Sequence, residues 1–378
     1  MIDELRINLV LGHQLPFPPL LGGGVNNLLW MLARQFARLG HAVSVCSPIA
    51  DGLAREETDE HGICHRRFPG AGMRAGAWAN NLVGFPYSLH VWRNLPFADV
   101  TSFHAPFSFL LRHRQGLGIC THTIHRTPKW ILRLYAGMDR IYAGSHATIK
   151  EAASIAPLLA SRLKAVHNCI ELGEVTPKAA PKAGVALSLI YVGRFTPDKG
   201  LQSLLGGGID AIHKGADVRI TTIGPQRDEQ GGDFEFFEAM IRVVCEAGVA
   251  DRFRFLPSIT DRSKLFAQID ANDVFCLPSL SGETFSMAGL EAMSRAKPLL
   301  TSDYGPMSEM VNDRVTGFTV AAGNRGAWAK AICRLDKTRH QLPEMGLASW
   351  CKARREFSVD AIANEYIADF RCLIAERK

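Results

Sequence analysis

Short apolar runs alternate with amphipathic stretches along most of the chain. The first run occupies residues 6–11 and the second residues 42–46, and both have the length and composition of buried strands. Between them, residues 26–39 place apolar side chains on one helical face, and Gly40 is positioned to end that helix. The face consists of Leu28, Leu29, Leu32, Phe36 and Leu39. This strand–helix–strand order predicts parallel pairing and an α/β fold.

The same alternation resumes in the second half of the chain. Apolar runs at residues 186–192, 218–224, 253–257 and 273–277 predict further strands. Residues 361–373 carry apolar side chains at helical spacing and predict a terminal helix.

The chain length and one irregular segment predict two domains. A chain of 378 residues is long enough for two domains, each with its own core. Residues 176–183 are rich in Pro and Ala and show no periodicity, which is typical of a linker. We therefore predict an N-terminal domain over residues 1–175 and a second domain over residues 184–357.

The composition excludes several classes of protein. Hydrophobic residues make up 47% of the chain and charged residues 21%, as in a globular protein. No apolar run approaches the ~18 residues of a spanning helix, and no charged-then-apolar leader is visible, so we expect a cytoplasmic protein. The nine cysteines are scattered without C-x-x-C spacing, which predicts reduced thiols rather than a disulfide framework or a zinc site.

Positive charge is concentrated in residues 61–138, where Asp99 is the only acid. The mixture of cations and aromatic side chains suits anionic lipid headgroups or an acidic acceptor. Single-stranded nucleic acid is the alternative, but no RNA-binding motif accompanies the stretch, and the formal net charge of +6 is modest, so we predict no nucleic-acid partner. An ordinary solvated face remains the simplest interpretation. The stretch contains Arg66, Arg67, Arg74, Arg93, Arg112, Arg114, Arg126, Lys129 and Arg133, with Trp78, Phe85, Tyr87, Trp92, Phe97 and Trp130.

A strand, a polar loop and a helix follow one another from residue 273 to residue 295. Ser286 is a candidate N-cap, and the helix start that it marks would favour a phosphate. Glu283 in the loop and Glu291 in the helix are separated by seven residues. The two carboxylates could form a glycosidase pair, hold separate hydroxylated parts of one long ligand, or be solvated surface groups.

A second strand-to-helix loop carries two cations. Gly193 to Gly200 follow the apolar run at 186–192, and Arg194 and Lys199 are placed to converge on one diphosphate. The loop lacks the G-x-x-x-x-G-K-[ST] pattern of a Walker loop.

These two motifs together resemble those of glycosyltransferase family 4. Glu283 and Glu291 match the E-x7-E signature, and residues 193–200 match G-R-x-x-x-x-K-G. The resemblance implies a GT-B fold: two Rossmann-like, doubly wound parallel-sheet domains facing a cleft, with a C-terminal helix over residues 358–378 crossing back to the N-terminal domain. It implies retaining transfer of a hexose-type sugar from a UDP- or GDP-linked donor to a hydroxyl acceptor, in polysaccharide, lipid-linked glycan or glycoconjugate synthesis.

The resemblance also assigns roles to residues of the second domain. Arg194 and Lys199, after Gly193, would bind the donor phosphates in place of a metal, so no cofactor and no metal are expected. Glu283 would contact hydroxyls of the donor sugar and Glu291 the ribose diol. The backbone from Phe285 through Ser286 to Met287 would face the sugar and the diphosphate. The chain departs from the family at Ser286, Ala296 and Cys169, where glycine is usual.

In the N-terminal domain the resemblance points to a glycine pair and a histidine. The run at residues 22–24 lacks the G-x-G-x-x-G spacing of a dinucleotide site; Gly23 and Gly24 match the family's glycine loop near the donor phosphate and acceptor. His104 follows a predicted strand and matches the family's active-site histidine. His125 matches a position that is often histidine, and the spacing of His122 and His125 is too loose to predict a metal site.

Other functions remain open at this point. A sugar-nucleotide epimerase of GT-B shape, a glycoside hydrolase and a non-catalytic sugar-nucleotide binder are the alternatives. Peripheral contact with the inner face of an anionic membrane is compatible with each of them.

Overall fold

A computed structural model describes residues 4–20, 23–70, 77–105, 115–182, 184–228 and 231–377, with side chains omitted for residues 77–83. The chain forms two compact units. Unit 1 comprises residues 1–169 and 358–378, and unit 2 comprises residues 170–357. The predicted linker therefore belongs to unit 2, where Lys178 Nζ pairs with Asp273 Oδ1 at 2.7 Å.

Unit 1 is built on an eight-stranded sheet in the order β3-β4-β2-β1-β5-β6-β7-β8. Every pairing is parallel except that of β3 with β4. Parallel sheets are covered on both faces, which is why the central strands are buried along almost their whole length, including most of their Ser and Thr residues. The strands are β1 (Arg6–Val10), β2 (Ala42–Pro48), β3 (Glu56–Thr58), β4 (Cys64–Phe68), β5 (Val100–Phe103), β6 (Ile119–Ile124), β7 (Arg140–Ala143) and β8 (Leu163–Ala165).

The helices of unit 1 follow the predicted pattern with small shifts. The first begins two residues before the predicted start, and Gly40 after it has φ 83°, as a glycine at a helix end does. The helices are α1 (Gly24–Arg38), α2 (Ala77–Asn94) and α3 (His146–Ile155), with 3₁₀ turns at Trp130–Tyr135 and Pro157–Arg162.

Unit 2 holds a six-stranded, fully parallel sheet in the order β11-β10-β9-β12-β13-β14. The predicted strands at 186–192, 218–224, 253–257 and 273–277 are confirmed within one residue at their ends. The strands are β9 (Leu187–Val192), β10 (Val218–Ile223), β11 (Phe253–Leu256), β12 (Val274–Leu277), β13 (Leu299–Ser302) and β14 (Gly317–Val320).

Helices cover the sheet of unit 2, and one of them approaches its neighbour closely at a glycine. A Cβ on Gly207 would lie 2.4 Å from Trp328 Cβ, so Gly207 lets the buried Trp328 pack directly against α4. The helices are α4 (Leu201–His213), α5 (Phe234–Glu246), α6 (Arg262–Ala271), α7 (Met287–Ser294), α8 (Gly305–Ser308), α9 (Arg325–Lys337) and α10 (Leu342–Lys352), with 3₁₀ turns at Pro197–Lys199, Ala250–Arg252 and Arg339–Gln341 and a π-helical turn at Ala353–Phe357.

The chain then returns to unit 1 as α11 (Val359–Glu376), the terminal helix that the sequence predicts. Its Asp369 accepts a hydrogen bond from Tyr142 Oη at 2.7 Å and ion-pairs with Arg140 and Lys164, each at 3.0 Å. This buried carboxylate joins α11 to strands β7 and β8.

Candidate functional site

The strand order of unit 2 places its two signature loops side by side. The first strand, β9, lies in the middle of the sheet; the chain winds outward through β10 and β11 on one side and then through β12 to β14 on the other. Ligands of doubly wound sheets bind where the order reverses, at the carboxyl ends of the strands. In unit 2 that point lies between β9 and β12, and the loops after these strands carry residues 193–199 and 278–286.

The two loops are fixed to each other by backbone contacts. Gly200 adopts a left-handed conformation with φ 68°, and a Cβ there would lie 1.9 Å from the Pro278 carbonyl oxygen. The amides of Leu280 and Ser281 donate to the carbonyl oxygen of Asp198 at 2.9 and 3.3 Å. Only glycine fits at position 200, because any side chain would push the loops apart.

Four charged side chains meet at this junction. Lys199 Nζ lies 2.6 Å from Glu283 Oε1 and 3.7 Å from Asp198 Oδ2. Arg194 lies 3.4 Å from the same Asp198 oxygen. Lys199 is only 8% exposed, whereas half of the Arg194 side chain faces solvent. The structure thus brings together Arg194, Lys199 and Glu283, which the sequence predicts as site residues, and joins them through Asp198.

Asp198 and Tyr191 are members of this cluster that the sequence analysis missed. The Tyr191 hydroxyl donates to the Arg194 carbonyl oxygen at 2.7 Å, and a Cβ on Gly193 would lie 2.6 Å from that hydroxyl. Burial, and next the charges of Glu283 and Asp198, raise the pKa of Tyr191. The one sequence signal for Asp198 is its position directly before Lys199.

The helix start after Glu283 has the predicted cap. Ser286 Oγ accepts a hydrogen bond from the Gly289 amide at 3.2 Å, and Phe285 and Ser286 are buried. Met287 is the first residue of α7. Glu291, one turn further along, is half-buried, and burial raises the pKa of its carboxyl while Arg262 opposes the shift.

The departures from the family's glycines have separate structural settings. Ala296 follows α7 with φ 50°, a left-handed conformation that glycine adopts without strain. The Ser286 hydroxyl serves as the helix cap, a function that glycine has no side chain to perform. Cys169 is fully buried at the end of the first segment of unit 1.

Unit 1 has the same reversal of strand order, between β1 and β5. His104 directly follows β5, and its amide donates to the Val10 carbonyl oxygen at 2.8 Å. Its ring nitrogens lie 2.8 Å from His125 Nε2 and 3.1 Å from Ser102 Oγ. The predicted position of His104 at a strand end is confirmed, and the structure adds His125 as its direct partner.

His104, His122 and His125 form a histidine cluster at the carboxyl ends of β5 and β6. Burial, and then repulsion by the other two rings, lowers the pKa of His104 well below its usual range. Burial and His125 lower the pKa of His122 to about 3, and burial lowers the pKa of His125 to about 4. The cluster is therefore neutral near pH 7 and suited to hydrogen bonding rather than to carrying charge.

The predicted glycine pair forms the start of α1 in unit 1. Gly23 is the N-cap residue with φ 104°, and a Cβ there would lie 2.9 Å from Leu15 Cδ1. Gly24 is the first residue of the helix. Gly22, and the cations Arg74, Arg112 and Arg114 of the basic stretch, lie outside the described residues, as does the Trp78 side chain.

Family models match both halves of the chain. Residues 22–174 match the model described as Glycosyltransferase Family 4, and residues 186–337 match the model described as Glycosyl transferases group 1. The chain belongs to glycosyltransferase family 4. The enzyme class that the sequence motifs predict is thereby confirmed.

Two mycobacterial relatives are 24% and 28% identical to this glycosyltransferase over the residues that align. A phosphatidyl-myo-inositol mannosyltransferase of Mycobacterium leprae is 24% identical over 283 residues, which is 71% of each chain. A D-inositol 3-phosphate glycosyltransferase of Mycobacterium sp. (strain KMS) is 28% identical over 201 residues, 51% of this chain and 44% of that one. The chain thus spans less than half the length of the second relative.

Solved structures confirm the fold class. Sucrose-phosphate synthase from Thermosynechococcus elongatus superposes with a TM-score of 0.75 at 18% identity, covering 98% of this chain and 99% of that one. Anabaena Alr3699/HepE in complex with UDP and glucose superposes with a TM-score of 0.72 at 17% identity, covering 97% and 100%. The two parallel-sheet domains are those of a GT-B glycosyltransferase.

Proposed function

We propose that this glycosyltransferase moves a hexose-type sugar, with retention of anomeric configuration, from a UDP- or GDP-linked donor to a hydroxyl acceptor. The observation that carries the proposal is the charged cluster of Arg194, Asp198, Lys199 and Glu283 at the reversal point of the unit 2 sheet. Two cations beside a helix start suit a diphosphate, and a carboxylate beside them suits sugar hydroxyls.

Lys199 would exchange a carboxylate for a phosphate when the donor binds. Its ammonium group lies 2.6 Å from Glu283, so a diphosphate entering the loop competes with that carboxylate for the same cation. Binding of the phosphate would release Glu283 to accept hydrogen bonds from sugar hydroxyls. Asp198, held by the amides of the second loop through its carbonyl oxygen, would keep Arg194 and Lys199 directed into the site.

The same cations would stabilise the departing nucleoside diphosphate. Negative charge grows on the leaving group as the glycosidic bond breaks, and fixed cations in a partly buried site stabilise it most effectively. Arg194 and Lys199 would do this without a metal ion. We therefore propose metal-independent transfer.

The remaining predicted residues would hold the other parts of the substrates. Glu291, whose carboxylate is half-buried one turn into α7, would accept hydrogen bonds from the ribose diol. The backbone from Phe285 to Met287 would border the diphosphate. In unit 1, a neutral His104 would hydrogen-bond a sugar hydroxyl, and the Gly23–Gly24 pair would admit the acceptor closely to the backbone.

The names of the relatives support a choice of donor nucleotide and of acceptor. The Anabaena protein is crystallised with UDP-glucose, which favours UDP over GDP as the donor nucleotide here. The mycobacterial relatives are named for phosphatidyl-myo-inositol and D-inositol 3-phosphate, which favours a hydroxylated acceptor that carries a phosphate. A lipid-linked acceptor with a phosphate in its headgroup satisfies this description, whereas a polysaccharide acceptor would supply the hydroxyl groups alone.

A panel of UDP- and GDP-linked sugars tests the proposal. We expect one donor to raise the melting midpoint and, with an acceptor, to release nucleoside diphosphate at the same rate with and without EDTA. The product of an α-linked donor should be α-linked by proton NMR. Stabilisation without release would indicate a non-catalytic binder, and release of a free epimerised sugar or nucleotide without transfer would indicate an epimerase.

A further inference from the structure

A six-residue 3₁₀ turn in unit 1, Trp130–Tyr135, exposes apolar side chains to solvent. With three residues per turn, side chains three positions apart stack on one face. Leu132 and Tyr135 form the inner row and are only 4% and 5% exposed. Ile131 and Leu134 form an outer row that is 37% and 46% exposed, and Trp130 beside them is 67% exposed.

A neighbouring turn adds a fourth exposed apolar side chain. Arg133 Nε donates to the carbonyl oxygen of Ile155 at 2.8 Å, which ties the 3₁₀ turn to the end of α3. Three residues after that end, Leu158 is 97% exposed, although Leu159 next to it is buried. Leu158 thus extends into solvent from an anchored turn that adjoins Trp130–Tyr135.

The charge around these side chains is positive. Arg126, Lys129 and Arg133 are exposed, and residues 126–138 contain no Asp or Glu. The next acid along the chain, Asp139, accepts a hydrogen bond from the Cys120 amide at 2.8 Å. On the facing helix α3, a Lys–Glu pair at positions 150 and 151 contributes no net charge.

We propose that this basic apolar patch, formed by Arg126, Lys129, Trp130, Ile131, Leu134 and Leu158, docks on an anionic lipid bilayer. Single exposed apolar residues are ordinary, but four on two adjoining turns, one of them Trp, form a candidate interaction surface. Trp at the headgroup level, aliphatic side chains below it and flanking Arg and Lys match the polarity profile of a membrane interface. The cations with no carboxylate between them select a negatively charged surface.

The patch lies close in sequence to the histidine cluster. Trp130 is five residues after His125, and five extended residues span at most about 18 Å. A bilayer bound by the patch would therefore hold a lipid-borne acceptor near this edge of the unit 1 sheet. This last step rests on the proposed function, whereas the docking itself does not.

Co-sedimentation with vesicles tests the docking without any measurement of catalysis. The full chain is mixed with vesicles of phosphatidylcholine alone or of phosphatidylcholine with phosphatidylglycerol, at low and at high salt. The apolar variant is Trp130→Gln with Leu134→Gln, and its matched control is the exposed Leu347→Gln of unit 2.

A second pair of variants tests the contribution of positive charge to vesicle binding. Arg126→Gln with Lys129→Gln is compared with Lys214→Gln and Lys330→Gln, two exposed lysines of unit 2. Melting midpoints show whether each variant is folded.

We expect the wild type to bind the anionic vesicles at low salt, to release them at high salt and not to bind vesicles of phosphatidylcholine alone. Each cation near an anionic surface contributes about five-fold to the affinity, so the double charge variant should bind the anionic vesicles about 30-fold more weakly. The affinity of the apolar variant for the anionic vesicles should fall about ten-fold or more, and the controls should bind as the wild type does. A folded apolar variant that binds normally, or a wild type that never sediments, would overturn the proposal.

A protein partner is the rival outcome. Light scattering of the wild type and of the apolar variant decides it, because a concentration-dependent dimer that disappears with the Trp130 and Leu134 substitutions would assign the patch to a second copy of the chain.

Discussion

Replacing each cation of the unit 2 site by methionine should separate their contributions. Lys199 is 8% exposed and lies 2.6 Å from a carboxylate, so its charge is poorly screened. A unit charge about 4 Å from its partner is worth about 4 kcal/mol in such a setting. We therefore expect Lys199→Met to lower kcat/KM by two to three powers of ten, since about 1.4 kcal/mol corresponds to a factor of ten.

Arg194 offers a matched comparison in the same loop. Half of its side chain is exposed and its nearest carboxylate oxygen is 3.4 Å away, so solvent screens it more strongly. Arg194→Met should lower kcat/KM by about ten-fold, corresponding to about 1–2 kcal/mol. Lys330→Met, at an exposed site on α9, should leave kcat/KM unchanged.

Initial rates of nucleoside diphosphate release, measured across donor concentrations, give the three values of kcat/KM. Melting midpoints establish that each variant is folded. A Lys199→Met enzyme within a few-fold of the wild type, or an Arg194→Met enzyme impaired more than it, would refute the assignment of Lys199 as the principal phosphate-binding cation.

Three further predictions follow from the same geometry. Glu283→Gln should lower kcat while nucleotide affinity is kept or increased, because Lys199 loses its competing carboxylate; an unchanged kcat contradicts this. Gly200→Ala should lower the free energy of unfolding by about 2 kcal/mol or more, since it adds a clash with the Pro278 carbonyl oxygen to the strain of a positive φ. Gly248 also has a positive φ, 71°, but a Cβ there would meet no other atom, so Gly248→Ala should lower the free energy of unfolding in urea by only about 1 kcal/mol. Equal losses of stability in the two variants would show that the clash at Gly200 contributes nothing. The histidine cluster should make stability fall as pH drops below about 6.5, because its folded-state pKa values lie below the unfolded value; urea midpoints that are flat from pH 7 to pH 4 would argue against it.

The sequence predicts the two signature loops of unit 2 because the residues of each motif stand close together along the chain. Gly193, Arg194 and Lys199 stand within one strand-to-helix passage, and Glu283 stands within another, so motif spacing is enough to find them. The contact between the two loops cannot be predicted from motif spacing, because it joins residues that are far apart in sequence. Lys199 and Glu283 are 84 positions apart, and only the strand order, with β12 next to β9, places the loops in contact.

Other features depend on details that periodicity does not encode. The exposure of Ile131 and Leu134 depends on which row of the 3₁₀ turn packs inward, so a basic and aromatic composition alone could not separate core from surface. For the same reason, composition alone does not identify Leu132 and Tyr135 as core residues. Motif spacing does not predict that Asp198 belongs to the cluster, because its place there depends on contacts of both its carboxylate and its carbonyl oxygen.

The proposed function depends on binding of the donor's diphosphate by Lys199 and Arg194. The most direct test is calorimetric titration of the wild type and of Lys199→Met with the nucleoside diphosphate of the identified donor and with the corresponding nucleoside. We expect the substitution to weaken diphosphate binding by about 2–3 kcal/mol and to leave nucleoside binding unchanged. Equal effects on the two ligands, or none on the diphosphate, would contradict it.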